Sequence, residues 1–140
     1  MDILVSTSIN GNGSDDLQMK TFTFLMSLMG YNNQLRMNHW QTTSYAEHKL
    51  TDDAMGSLTG FIDAIGEAAL GTFGRLKINT VSTNISDIAI SSTDYVLKCI
   101  DEAVKEMVMI YKETEYEGIF ALIGDLEGDV KKFLFLATLD

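Results

Sequence analysis

The segment SYAEHKLTDDAMGSLTGFIDAIGEAALGTFG, residues 44–74, decides how the chain is read. Leu50, Ala54, Leu58, Phe61, Ile62, Ile65 and Ala69 recur at three- and four-residue steps, the period of one buried helix face. Ser44 followed by Glu47 has the spacing of a capping box, in which each side chain satisfies the other's free backbone N–H. Gly71 and Gly74 punctuate the far end. The spacing predicts a helix over about residues 44–72.

The pattern extends outward on both sides. Leu25, Leu28, Met29, Leu35 and His39 share a stripe that predicts a first helix over about residues 15–42, with Asp15 or Asp16 at its N-terminus. Val96, Cys99, Ile100, Ala103, Met107 and Ile110 predict a third over about 93–114. Ile119, Leu122, Ile123, Leu126, Val130, Phe133 and Leu134 predict a fourth over about 115–139. The chain has no proline, so nothing interrupts such long helices. The first and last connections are short and imply antiparallel neighbours. Residues 75–92, rich in Ser, Thr, Asn and Ile, are long for a helix–helix connection and read as a crossover with room for a short helix. Two hairpins joined by one long crossover form the ferritin-like variant of the four-helix bundle. The expected organisation is an extended arm over residues 1–14 and an all-α domain over 15–140.

Composition narrows the function. A chain of 140 residues suits one domain with a real core. Its net charge of −10 repels phosphate backbones and attracts cations. The single cysteine, Cys99, cannot form an intrachain disulfide and fits a reducing compartment. No apolar run reaches the length of a membrane span, and the N-terminus lacks the basic start of a secretory signal.

The only histidines are His39 and His48. His48 with Asp52, and Asp63 with Glu67, are i, i+4 pairs, so each pair shares a helix face. Imidazole and carboxylate together suit iron. At about 100° per residue these four fall on a face turned away from the apolar stripe. The pairs are 15 residues apart, so about 22 Å separates them along one helix. They cannot share an ion within one chain. Two antiparallel copies of the helix bring one chain's first pair against the other's second. The two-fold axis then passes near Ser57 and Leu58, flanked by Gly56 and Gly60, which let two backbones approach. A plainer reading stands beside this one. Acidic helix faces are usually just solvated, His39 can be a packed or capping residue, and the glycines can be incidental.

These residues resemble a known family, the Dps mini-ferritins. His39-Trp40 is similar to its His-Trp signature, and His48-x3-Asp52-x10-Asp63-x3-Glu67 matches its ferroxidase ligands in type and spacing. Phe61-Ile62-Asp63-Ala64-Ile65-Gly66-Glu67 and Asp129-Val130-Lys131-Lys132-Phe133-Leu134-Phe135-Leu136 resemble two further family segments. The resemblance implies a hollow dodecamer that oxidises ferrous iron with peroxide or dioxygen and stores ferric mineral inside. It implies that His48 and Asp52, with His39, come from one subunit and Asp63 and Glu67 from another. Such a site weakens in acid, because metal binding needs neutral imidazole and ionised carboxylates. The chain also departs from the family. His39 and His48 stand nine positions apart, closer than usual, which shortens the first loop. Ala68 replaces an arginine, and residues 1–14 hold no Lys or Arg, so DNA binding is not expected. The shortened stretch from Asn38 to Lys49 looks like ferritin-like proteins of tailed phages, implying a virion or host-cytoplasm location. The alternative function is a non-catalytic structural or interaction protein on the same scaffold.

Overall fold

Four helices form where the apolar stripes predict them. The computed structural model describes residues 5–10 and 16–139. Helix α1 spans Asp16–Gln41, α2 Tyr45–Phe73, α3 Thr93–Lys112 and α4 Glu117–Leu136. Ser44 and Ser92 cap α2 and α3, their hydroxyls accepting from the N–H groups of Glu47 and Tyr95. Gly74 ends α2 at φ +85°, a backbone conformation that costs glycine little. Asp16 stands in the first turn of α1, where its charge suits the helix dipole. Asp15 and arm residues 1–4 and 11–14 lie outside the described residues.

Two expectations need correction. The connection over residues 74–92 carries no short helix but a strand, β2 (Lys77–Thr83), paired antiparallel with β1 (Val5–Asn10). Its β-branched run Ile78, Thr80, Val81 and Thr83 favours that conformation. The first helix's stripe also differs: Leu25, Leu28 and Leu35 are buried, but Met29 is 44% exposed. Helix α1 packs on α2, α3 and β1, so its buried surface is broader than one stripe and takes in Phe22, Phe24 and Tyr31. The stripes of the other helices interlock as one core, with Leu58, Ile65, Val96, Ile100, Ile123 and Leu126 almost fully enclosed. Each such side chain stabilises the fold by about 1.5–3 kcal/mol.

Side-chain contacts define the topology. Thr21 meets Tyr111 and Asn38 meets Thr93, so α1 and α3 are antiparallel. Ser57 bonds Asp129 and the Phe73 ring abuts Tyr116, so α2 and α4 are antiparallel as well. Helices α1 and α4 each pack on both α2 and α3, which places α2 diagonally from α3. Helix α2 ends beside Tyr116, whereas α3 begins beside Glu47 at the opposite end. Residues 74–92 therefore run the length of the bundle.

Three buried amides of α1 hold that connection. Gln18 Nε2 donates to the Gly74 carbonyl at 3.1 Å. Gln34 donates to the Ser86 carbonyl and accepts from the Ser86 N–H, both at 2.9 Å. Asn38 Nδ2 donates to the Ser91 carbonyl at 2.8 Å. Irregular backbone over a core must find such partners, because an unpaired buried polar group costs about 1–3 kcal/mol.

One ion cluster joins α3 to α4. Asp101 Oδ2 lies 2.9 Å from Lys105 Nζ, and Asp101 Oδ1 lies 3.0 Å from Lys131 Nζ. Burial alone raises the Asp101 carboxyl, but hydrogen bonds and charge from Lys105 and Lys131 outweigh it and hold the pKa below the ordinary value. A lowered folded-state pKa gives stability that is complete above the unfolded value and lost as pH falls through the folded one. Asp101→Asn should therefore destabilise the protein at neutral pH, with the deficit shrinking in acid below the ordinary carboxylate range. Urea melts of both proteins across pH check this, and a pH-independent difference contradicts it. Asn38→Leu should cost about 1–3 kcal/mol in the same assay. A change within a few tenths would remove the amide clamp from the account.

Candidate metal centre

The tight turn between α1 and α2 brings both histidines together. The His39 and His48 rings stack at 3.8 Å between centroids, with 18° between their planes. His39 Nδ1 lies 2.9 Å from the His48 carbonyl, and His48 Nδ1 lies 3.0 Å from the His39 carbonyl. A carbonyl oxygen only accepts, so each Nδ1 carries the hydrogen. Each neutral ring then keeps its lone pair on Nε2, the atom left to bind a ligand. Metal-binding histidines are commonly oriented by such a bond from the other ring nitrogen.

Two neighbours complete the hairpin, one that the sequence did not single out and one whose role differs from the expected one. Thr51 is fully buried; the Glu47 and His48 carbonyls share its one hydroxyl hydrogen at 2.9 and 3.0 Å, and its oxygen lies 3.1 Å from His39 Nδ1. Its position one turn beyond Glu47 and His48 was the available signal. The second is Glu47, expected to close a capping box with Ser44. Only half of that box forms: the Glu47 N–H donates to Ser44 Oγ at 3.2 Å, but the Ser44 N–H goes to Thr42 Oγ1. The Glu47 carboxylate instead accepts from Thr42 Oγ1 at 2.7 Å and from Thr93 Oγ1. It ties the first loop to the start of α3.

The carboxylates lie along α2. Asp52 is exposed one turn after His48, and Asp63 and Glu67 are exposed further along the same helix. Among the described residues, no three His, Cys, Asp or Glu side chains gather as a metal-holding group within one chain. The helix rise already excludes that for the two pairs. Gly56 and Gly60 are exposed between the pairs, and a Cβ added at either meets open space. Ser57, expected at the two-fold contact, is turned inward: its hydroxyl donates to Asp129 Oδ2 on the chain's own α4 at 2.7 Å. Leu58 is buried in the core. Trp40, beside His39, is 67% exposed. Nitrogen NMR of the imidazoles should report the Nδ1–H form for both histidines when neutral. The opposite tautomer at either ring contradicts the reciprocal bonding.

Comparison with known proteins gives the chain its relatives. It is 31% identical over 121 residues to an uncharacterized 14.6 kDa protein of the mobD-ri intergenic region of Enterobacteria phage T4. That match covers 86% of this chain and 90% of the phage protein. No solved structure matches. A family model described as a family of unknown function, DUF5856, matches residues 39–136, which run from the first of the paired histidines to the last residue of α4. The chain belongs to the DUF5856 family.

Proposed function

We propose that two copies of the chain pair antiparallel along α2 and bind ferrous iron between them, as a mini-ferritin of the Dps kind. The single observation that carries this reading is the reciprocal bonding of His39 and His48, which leaves both Nε2 atoms available. His39, His48 and Asp52 of one copy face Asp63 and Glu67 of the other. The open surface over Gly56 and Gly60 gives the second α2 room to approach. Gly inside a helix costs about 1 kcal/mol relative to Ala, and close helix approach is a reason to keep it. The crossover of residues 74–92 supports a ferritin-like scaffold.

Ferrous iron is the substrate here. Two ions give one electron each, reducing one peroxide to two waters or one dioxygen to peroxide with uptake of two protons, and the ferric product is stored inside a hollow oligomer, a dodecamer by resemblance to the family. The carboxylates stabilise the ferric product more than the ferrous substrate, because they are hard anionic ligands. The phage relative supports a place in a virion or in the cytoplasm of an infected cell.

A second reading is favoured by one observation. The bonds that orient the histidines also close the α1–α2 turn, a job they do without any metal. The protein is then a structural or interaction protein on the same scaffold.

Asp63→Ala combined with Glu67→Ala separates the two readings. Both residues are exposed, so the variant should fold and assemble normally. Ferric absorbance after adding ferrous iron and peroxide should rise rapidly in the unmodified protein and not in the variant. Equal kinetics in the two would falsify the shared site. Gly56→Leu with Gly60→Leu should keep full helix content by circular dichroism but lower the assembled mass by light scattering. An unchanged mass moves the two-fold contact away from α2.

A further inference from the structure

Helices α1 and α3 leave a groove of about 470 Å³ between them, away from the α2 face. Phe24, Tyr31 and Met107 line it and are almost wholly buried, with Met19 and Ile110 beside them. Glu102 and Glu106 line its rim, both exposed and one turn apart on α3. Neither forms an ion pair among the described residues. Like charges at this spacing repel each other. Lys20 also lines the groove, where its ammonium lies 2.9 Å from Asp16 one turn back on α1, and Lys105 lies 2.9 Å from Asp101.

The groove is also polarised along its length. The Thr21–Tyr111 and Asn38–Thr93 contacts set the register of α1 against α3. In that register Glu102 and Glu106 fall beside Ser27 and Tyr31. Met107 and Ile110 fall toward Phe24 and Met19. Glu102 marks one end and Glu106 the middle, while the far end holds Met19, Ile110 and the Asp16-paired Lys20.

We propose that this groove binds an amphiphilic organic cation, an alkylammonium. Its charge meets Glu102 and Glu106, and its hydrocarbon lies over Phe24, Met107 and Ile110. The volume lies within the usual range for a small-molecule site, about 300–1,000 Å³. From Glu102 to Ile110 the groove runs about 12 Å at 1.5 Å per residue. A single extended hydrocarbon chain can span that length. The proposal shares no residue with the iron site and stands or falls separately from it.

Calorimetric titration of the full chain with octylammonium tests it, with octanol and octanoate as controls of the same tail. Octylammonium should bind roughly tenfold more tightly than either, as expected from two carboxylates near one cation. Glu102→Gln with Glu106→Gln should abolish that preference while leaving the circular dichroism spectrum unchanged, since neither carboxylate supports the fold. Thr23→Trp, which fills the groove from its exposed rim, should weaken all three ligands. Amide NMR shifts caused by octylammonium should cluster on α1 and α3. Equal affinity for the three ligands, no binding, a preference that survives the double substitution, or shifts clustered elsewhere would each overturn the proposal.

Discussion

The structure depends on where the backbone of residues 74–92 finds its hydrogen bonds. That segment returns the chain from one end of the bundle to the other, over a surface built of apolar side chains. Pairing with β1 satisfies part of it. Gln18, Gln34 and Asn38 bond its backbone at Gly74, Ser86 and Ser91, and Asp87 accepts from the N–H groups of Ala89, Ile90 and Ser91. Gln34 treats Ser86 as a strand neighbour would, giving and accepting one bond each way. These amides fix the path of the connection that delivers α3 to the end of the bundle where Glu47 receives Thr93.

The same economy of partners governs the opposite edge. At the turn between α1 and α2, the His39 carbonyl in the last turn of α1 accepts from the His48 ring, and the His48 carbonyl in the first turn of α2 accepts from the His39 ring and from Thr51. That arrangement couples folding to any chemistry at the histidines. The ring nitrogen used to close the turn is the one that becomes unavailable, and the lone pair of a neutral ring stays on the other. The surface of α2 beyond the turn is polar, glycine-rich and uncovered within one chain. One metal ion bound by both the His48–Asp52 and Asp63–Glu67 pairs would therefore have to be held between two chains.

Much of the fold was legible in residues 15–139, because apolar side chains at helical period have one economical solution. The stripes of α2, α3 and α4 matched the buried residues closely. The α1 stripe did so less well, since Met29 sits on its edge and three different elements cover that helix. The strand at Lys77–Thr83 escaped notice because its partner lies about seventy residues away, beyond any local pattern. At the candidate site, residue types and spacing singled out His39, His48, Asp52, Asp63 and Glu67. They did not reveal that the two rings stack, that Thr51 supports them, or that Ser57 faces its own α4.

What the sequence determined by itself is therefore a set of periods and distances. Helix rise alone separates the pair beginning at His48 from the pair ending at Glu67, and no tertiary contact can alter that within one chain. The capping pair at Ser44 and Glu47 shows the complementary case. Its spacing is right for a reciprocal box, yet the tertiary structure sends the Glu47 carboxylate to Thr42 and Thr93. A local hydrogen bond to an exposed N–H gains little over water, whereas bonds that fasten α3 to the hairpin replace water at a packed junction. Polar side chains with several reachable partners are settled by packing, and apolar periodicity is settled by the chain.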